Sequence, residues 1–168
     1  MNAALFFSPN GRITKQQFQL GALVLIGIAF VLALIQSSIP VVAAMAIGIP
    51  VFLFQLVMYY TWVALWIKRL HQAGQTGWMT ILLVIGWFLL SSVVGTIITF
   101  SMAPELMSMS GSGSTDFMEI MQESMEASRA IALPSAIAGA VVSAVYVFLL
   151  NALLPSDSED NQYGPAPQ

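Results

Sequence analysis

Residues 16–67 read QQFQLGALVLIGIAFVLALIQSSIPVVAAMAIGIPVFLFQLVMYYTWVALWI, and no Asp, Glu, Lys or Arg interrupts them. The flanking charges are Lys15 and Lys68. A helix rises about 1.5 Å per residue, so about 20 apolar residues cross the hydrocarbon core of a bilayer. The stretch is therefore long enough for two crossings joined by a tight turn. Its one polar break before Pro40 is Gln36-Ser37-Ser38. Proline suits the first turn of a new helix, where its missing N–H costs nothing. The expectation is a hairpin of two spans, about 16–35 and 40–67, the second kinked at Pro50. Thr14 and Gln17 fit a capping box at the start of the first.

The same reading extends outward. No charged residue lies between Arg69 and Glu105, or between Arg129 and Asp157, and each gap holds one further span, about 78–100 and 130–154. The whole chain of 168 residues is 58% hydrophobic and only 8% charged, where soluble domains carry about 25% charged residues. A water-facing fold of this size cannot hide so much apolar surface. The first run is longer than a signal peptide's apolar region and follows a long polar lead, so it reads as an uncleaved span. The expected fold class is an all-α membrane protein with four transmembrane helices and a short amphipathic helix between the third and fourth.

Charge placement sets the expected orientation. Arg12 and Lys15 precede the first span, and Lys68 and Arg69 lie in a short basic loop, 68–77, between the second and third. Four of the five basic residues thus share one side. Positive charge marks the cytoplasmic side, which puts both termini and the acidic, proline-rich tail 155–168 inside, the tail's end being mobile. The acidic, Met-rich segment 101–129 then faces outward. Tyr59, Tyr60, Trp62 and Trp66 suit the interface at the end of the second span.

Small residues recur every four positions as Ser91, Gly95 and Thr99, and as Ser135, Gly139 and Ser143. Such stripes let helix backbones approach closely, and they are the expected packing faces of the last two spans. Gln55, near Pro50, is the most notable polar side chain in mid-membrane. It either bonds across to another helix or lines a path in an oligomer.

Chemistry is sparsely signalled. Cysteine is absent, which excludes disulfides and thiolate chemistry. The spans hold serines but no His, Lys, Asp or Glu to activate one, and there is no phosphate-binding glycine loop. No enzyme, cofactor, metal site or nucleic-acid partner is expected. His71 is the single histidine. It reads as an interfacial residue packing on Trp66 or Trp78, or else as part of a phosphate-binding or pH-sensitive group with Arg12, Lys68 and Arg69. The basic residues, with Trp78 and Tyr163 on the same side, are candidate contacts for anionic lipids, each attracted by about 1 kcal/mol. Six of the ten methionines, Met102, Met107, Met109, Met118, Met121 and Met125, crowd the outer segment. Met118, Met121 and Met125 could offer thioethers to Cu(I). The favoured reading is an amphipathic helix starting near Asp116 and Glu119, with Phe117, Ile120, Met121 and Met125 opposite Gln122, Glu123 and Glu126.

Three stretches resemble a known family: Gly11-Arg12-Ile13-Thr14-Lys15-Gln16-Gln17-Phe18 before the first span, Lys68-Arg69-Leu70-His71-Gln72-Ala73-Gly74-Gln75-Thr76-Gly77-Trp78 after the second, and Asn161-Gln162-Tyr163-Gly164-Pro165-Ala166-Pro167 at the end. Together they look like the DUF805 family of small bacterial inner-membrane proteins, whose marks are a GR-I-S/T-R/K opening, an RRLHDTGRSGWW-like loop and a closing N-x-YGP-x-P. The chain departs from that pattern at Gln72, where the family usually has Asp, at Gln75 in place of Arg, and at Met79 in place of a second Trp. A His–Asp pair is therefore not available here. The outer segment is also longer than usual. The resemblance implies architecture and location in the inner membrane, and no assigned activity. The function expected is a non-enzymatic accessory, scaffold or partner-binding component, its partner a membrane protein or a second copy. The alternative is a small oligomeric transporter or channel.

Overall fold

The computed structural model describes residues 4–104 and 117–167. Helix α1 is a single turn, Ala4–Phe7. Helix α2, Lys15–Ser38, starts at the expected capping box: the Gln17 amide donates to Thr14 Oγ1 at 3.1 Å, and the Thr14 amide donates to Gln17 Oε1 at 3.0 Å. It ends where Ser37 and Ser38 hydroxyls turn back to the Leu34 carbonyl, and Pro40 opens α3, Val41–Gln72. A 3-10 turn, Gly77–Met79, leads into α4, Thr80–Met102. Then come α5, Phe117–Ala130, and α6, Ala132–Leu153. Among the described residues there is no strand.

Four helices are long and apolar enough to cross a membrane: Lys15–Ser38, Val42–Gln72, Gly77–Met102 and Ala132–Leu153. None of the residues in the most apolar stretches of the second and third is buried within the chain. Large side chains such as Val42, Ile49, Phe52, Leu82 and Phe88 stand exposed along them. Apolar surface on that scale is unfavourable in water and natural in lipid.

One boundary differs from expectation in a way that shapes the site. The second span does not end at 67, and residues 68–72 are not a loop. Helix α3 continues to Gln72 because nothing breaks it before Gly74. There the chain turns with φ of 69°. The Gly74 amide donates to the His71 carbonyl at 3.1 Å, and the Gln75 amide to the Leu70 carbonyl at 2.9 Å. This is a Schellman cap, which needs a left-handed residue, and glycine adopts that conformation without a Cβ clash. The 32-residue helix runs about 48 Å, beyond the ~30 Å hydrocarbon core.

Helix α2 packs most extensively on α6 and also on α3, while α4 lies against α6. The buried cluster comprises Ile13, Phe18, Ala22, Leu25, Leu65, Trp66 and Val147, with the Phe18 and Trp66 rings 4.5 Å apart. It occupies the end of the bundle where α2 begins and α3 and α6 finish.

The structure leaves open space around the glycines of the two small-residue stripes. A methyl built on Gly95 or Gly139 would touch nothing within 4 Å, and the Thr99 hydroxyl bonds back to the Gly95 carbonyl of its own helix at 3.0 Å. Among the described residues, Ser143 is the one of the six that makes a hydrogen bond across, accepting from Trp87 Nε1 at 3.2 Å. The close approach is one turn away at Gly86, where a Cβ would lie 2.8 Å from the Tyr146 hydroxyl oxygen. That hydroxyl donates to the Leu83 carbonyl at 2.7 Å. Trp87 and Tyr146 make the hydrogen-bonded contact between the two helices.

Along α5, Met121 and Met125 are half-buried, while Gln122, Glu123 and Glu126 are exposed. Arg129 in its last turn donates to the Ile39 carbonyl in the turn between α2 and α3. Met107, Met109, Asp116 and the side chain of Met118 lie outside the described residues.

Candidate functional site: two arginines clasping the C-terminal tail

The buried cluster ends in a polar layer that holds Arg12, Lys68, Arg69, Gln72 and Asn151, each no more than 8% exposed. Arg69 and Gln72 sit one turn apart on α3, which is why the extension of that helix matters. Arg69 is fully buried. Its Nε donates to Asn151 Oδ1 at 2.5 Å, one terminal nitrogen to the Pro155 carbonyl at 3.0 Å, and the other to the carbonyls of Leu154 at 2.8 Å and Asn151 at 3.3 Å. The last carbonyls of a helix have no partner within it and carry partial negative charge. Arg69 therefore caps α6. Lys15 does the same from α2, donating to the Ala152 carbonyl at 3.2 Å. Asn151 Nδ2 returns a bond to the Lys15 carbonyl at 3.3 Å.

Arg12 holds the tail beyond α6. Its Nε donates to Gln72 Oε1 at 2.9 Å, one terminal nitrogen to the carbonyls of Glu159 at 2.7 Å and Gly164 at 2.9 Å, and the other to the Asp157 carbonyl at 2.7 Å. Gln72 completes the join: its Nε2 donates to the Asp157 carbonyl at 2.7 Å, and its own carbonyl accepts from the Asp157 amide at 2.9 Å. The tail then folds into a tight turn in which Asn161 and Gly164 exchange backbone bonds. Asn161 Oδ1 accepts from the Tyr163 amide at 2.9 Å, and Nδ2 donates to the His71 carbonyl at 3.1 Å and to the Asp157 carboxylate at 3.0 Å. The Tyr163 ring stacks on His71 with centroids 3.9 Å apart and planes within 4°. His71 Nδ1 lies 3.3 Å from the Gly11 carbonyl.

Those contacts bring the three quoted stretches into one place. A family model for DUF805, described as a protein of unknown function, matches residues 6–165. The chain belongs to the DUF805 family. No curated protein and no solved structure matches it.

Within this DUF805 chain, several candidate residues meet and others stand apart. Arg12, Lys15, Arg69, His71 and Tyr163 belong to the clasp. Lys68 reaches the neighbouring α1 and donates to the Leu5 carbonyl; Tyr60 bonds the Phe7 carbonyl at 3.0 Å. Trp78 is 78% exposed and stays outside. Gln55 is half-buried, far along α3, and makes no hydrogen bond among the described residues. Two expectations are corrected. The tail is held along its length to residue 164 instead of leaving the bundle at once, because four of its carbonyls, at 155, 157, 159 and 164, accept from buried guanidinium groups. His71 stacks on Tyr163 rather than on Trp66 or Trp78, since Trp66 faces Phe18.

Sequence reasoning missed Asn151 and the positive role of Gln72. Asn151 had a signal: it is the one carboxamide in an otherwise apolar run at the end of α6. The electrostatics of the site are lopsided. Every acceptor on Arg12 and Arg69 is neutral, a carbonyl or a carboxamide oxygen. The Asp157 carboxyl is held below the usual aspartate range by the Asn161 side chain first, then by the Glu159 amide and the field of Arg12.

Proposed function

We propose that this chain is an integral inner-membrane component without enzymatic activity, serving as an accessory, scaffold or partner-binding subunit, with both termini in the cytoplasm. The observation that carries the reading is the clasp. The strongest polar groups at the motif-bearing end are spent on holding the chain's own tail against three helices. That is the design of a shaped surface rather than of a reaction centre. The single histidine supports the same view, because its ring meets a backbone carbonyl and a tyrosine face, and among the described residues no serine hydroxyl or carboxylate is placed on it as a nucleophile or an orienting group. Positive charge on the terminal side supports the cytoplasmic assignment, and the exposed faces of α3 and α4 leave room for lipid and for a partner helix. The amphipathic α5 then lies at the outer surface, its methionine side adaptable to a partner.

Crosslinking in intact membranes followed by mass spectrometry tests the proposal. A reproducible heterologous partner is the expected result; self-crosslinks alone would count against a partner-binding role. One observation favours a second reading. Gln55 is half-buried on the α3 side that also carries Met58 and Trp62, without a hydrogen-bond partner among the described residues. In an oligomer it could line a pore. Flux through reconstituted liposomes that is lost in Gln55→Ala would establish that reading, and flux no greater than in empty liposomes would remove it.

A further inference from the structure

The first turn of the chain lies below the clasp rather than in it. Leu5 and Phe6 of α1 pack against the buried cluster. A Cβ built on Gly21 would meet Leu65 Cδ2 at 3.1 Å and Leu5 Cδ2 at 3.8 Å. Gly21 is about 9 Å inside the first residue of α2. It belongs to the run from Leu20 to Ile35, which has no polar side chain. On α3 the turn is held by two donors: Lys68 bonds the Leu5 carbonyl, and Tyr60 bonds the Phe7 carbonyl at 3.0 Å. Those donors are about 12 Å apart along the helix, so α1 lies beside the last apolar stretch of α3. The chain then climbs to the polar layer, where the Gly11 carbonyl faces His71 Nδ1 and Arg12 bonds Gln72.

The backbone chemistry fits that depth. A one-turn helix cannot pair its own last carbonyls. Hydrocarbon offers them no hydrogen bond, so such backbone persists at membrane depth only where protein groups satisfy it. A lysine ammonium and a tyrosine hydroxyl, both from α3, do so here. The side chains fit as well. Phe7 is 55% exposed, and Tyr59 and Tyr60, on the stretch of α3 that bonds it, are exposed too. Tyrosine favours the boundary between headgroups and acyl chains, and an apolar ring beside it is buried on the acyl side.

We infer that α1 is a lipid-inserted wedge, with Phe7 among the acyl chains of the leaflet on the clasp side, and with Lys68 and Tyr60 satisfying the backbone that carries it. This rests on the membrane reading proposed above. The wedge and the clasp hold the lead 8–11 from its two ends, so lipid steadies the segment that presents Arg12 to the tail.

The test uses the full chain, which has no cysteine, in nanodiscs of phosphatidylcholine and phosphatidylglycerol. One spin label at a time is placed on Phe7→Cys, Ser8→Cys, Asn10→Cys or Leu20→Cys. Its collisions with oxygen, which concentrates in hydrocarbon, are compared with its collisions with a nickel chelate, which stays in water. Asn10 is exposed on the climb, and Leu20 is exposed on α2. The oxygen-to-nickel ratio at Phe7→Cys should match that at Leu20→Cys and exceed that at Asn10→Cys about tenfold, because a polar solute is strongly excluded from hydrocarbon. Ser8→Cys leaves the Phe7 ring in place and should read between Phe7→Cys and Asn10→Cys. A lipid-like ratio there supports the wedge even if the label at position 7 has dislodged it. Ratios at both Phe7→Cys and Ser8→Cys equal to that at Asn10→Cys, with Leu20→Cys still lipid-like, overturn the wedge and leave the membrane reading intact. A water-like Leu20→Cys as well overturns both. A label at Phe7→Cys shielded from both reagents means that a second copy covers the ring in place of lipid, and overturns the lipid assignment.

Discussion

Arg69 Nε and Asn151 Oδ1 are 2.5 Å apart, and both residues are fully buried. The bond joins the end of α3 to the end of α6 across a water-excluded layer. Asn151→Ala leaves a buried guanidinium nitrogen without its acceptor, which costs on the order of 3 kcal/mol. Asn151→Asp supplies an anionic acceptor at nearly the same place and gives up only the 3.3 Å bond to the Lys15 carbonyl. Thermal unfolding in detergent should therefore rank Asn151→Ala well below both the native chain and Asn151→Asp. Equal melting of the alanine variant and the native chain would mean that water already reaches Arg69.

Gly86 makes a sharper test of helix packing than either small-residue stripe. A Cβ there meets the Tyr146 hydroxyl at 2.8 Å, so Gly86→Ala must push that hydroxyl off the Leu83 carbonyl. Overpacking of this kind costs about 1–3 kcal/mol. Adding Tyr146→Phe removes the clashing atom and should recover most of the loss. Gly95→Ala and Gly139→Ala, with open space around them, should stay within about 0.5 kcal/mol of the native chain. Unfolding of the three single variants and the double variant, measured side by side, checks the order.

The four apolar helices were legible because charge gaps and polar breaks report on chain segments one at a time. The Thr14–Gln17 cap was legible for the same reason. The end of α3 lies five residues beyond the expected 67, because Lys68 ends the apolar run while the stop signal is Gly74. The clasp was less legible still. Its bonds run from Arg12 to a tail about 150 positions away, and their acceptors are backbone carbonyls, which every residue has. The family resemblance marked the three stretches but not what they do to one another. Four-residue spacing says which face of a helix is small, and not whether a neighbour is there, which is why Ser143 meets Trp87 while Gly95 and Gly139 face open space.

Asp157 gives the tail a pH dependence. Its carboxyl is held below the usual aspartate range, chiefly by the Asn161 side chain. A group with a depressed folded pKa contributes stability that is fully present above its unfolded pKa. That contribution is lost as pH falls through the folded value. Tail attachment should thus be constant from neutral pH down to the ordinary aspartate range and weaken only below it. A spin label at Gln162→Cys, titrated downward in a phosphatidylcholine nanodisc, reads this directly. In Asp157→Asn the acid-induced loosening should disappear, and loosening that begins near neutral pH would point to another group.

The orientation can be settled with the same absence of cysteine. Arg12 and the 157–164 tail are joined at one end of the bundle, so labels on them must fall on one side of a membrane. Gln122 is exposed on α5, which follows the third apolar helix and is tied by Arg129 to the α2–α3 turn at the opposite end. A membrane-impermeant maleimide applied to spheroplasts should modify Gln122→Cys and leave Gln162→Cys untouched until the membrane is opened. The reversed pattern would put the two clasped arginines outside. That would contradict the rule that basic residues flanking short loops stay in the cytoplasm, and the reason would lie in the clasp itself, since a guanidinium already bonded to carbonyls is less able to hold its side of the membrane.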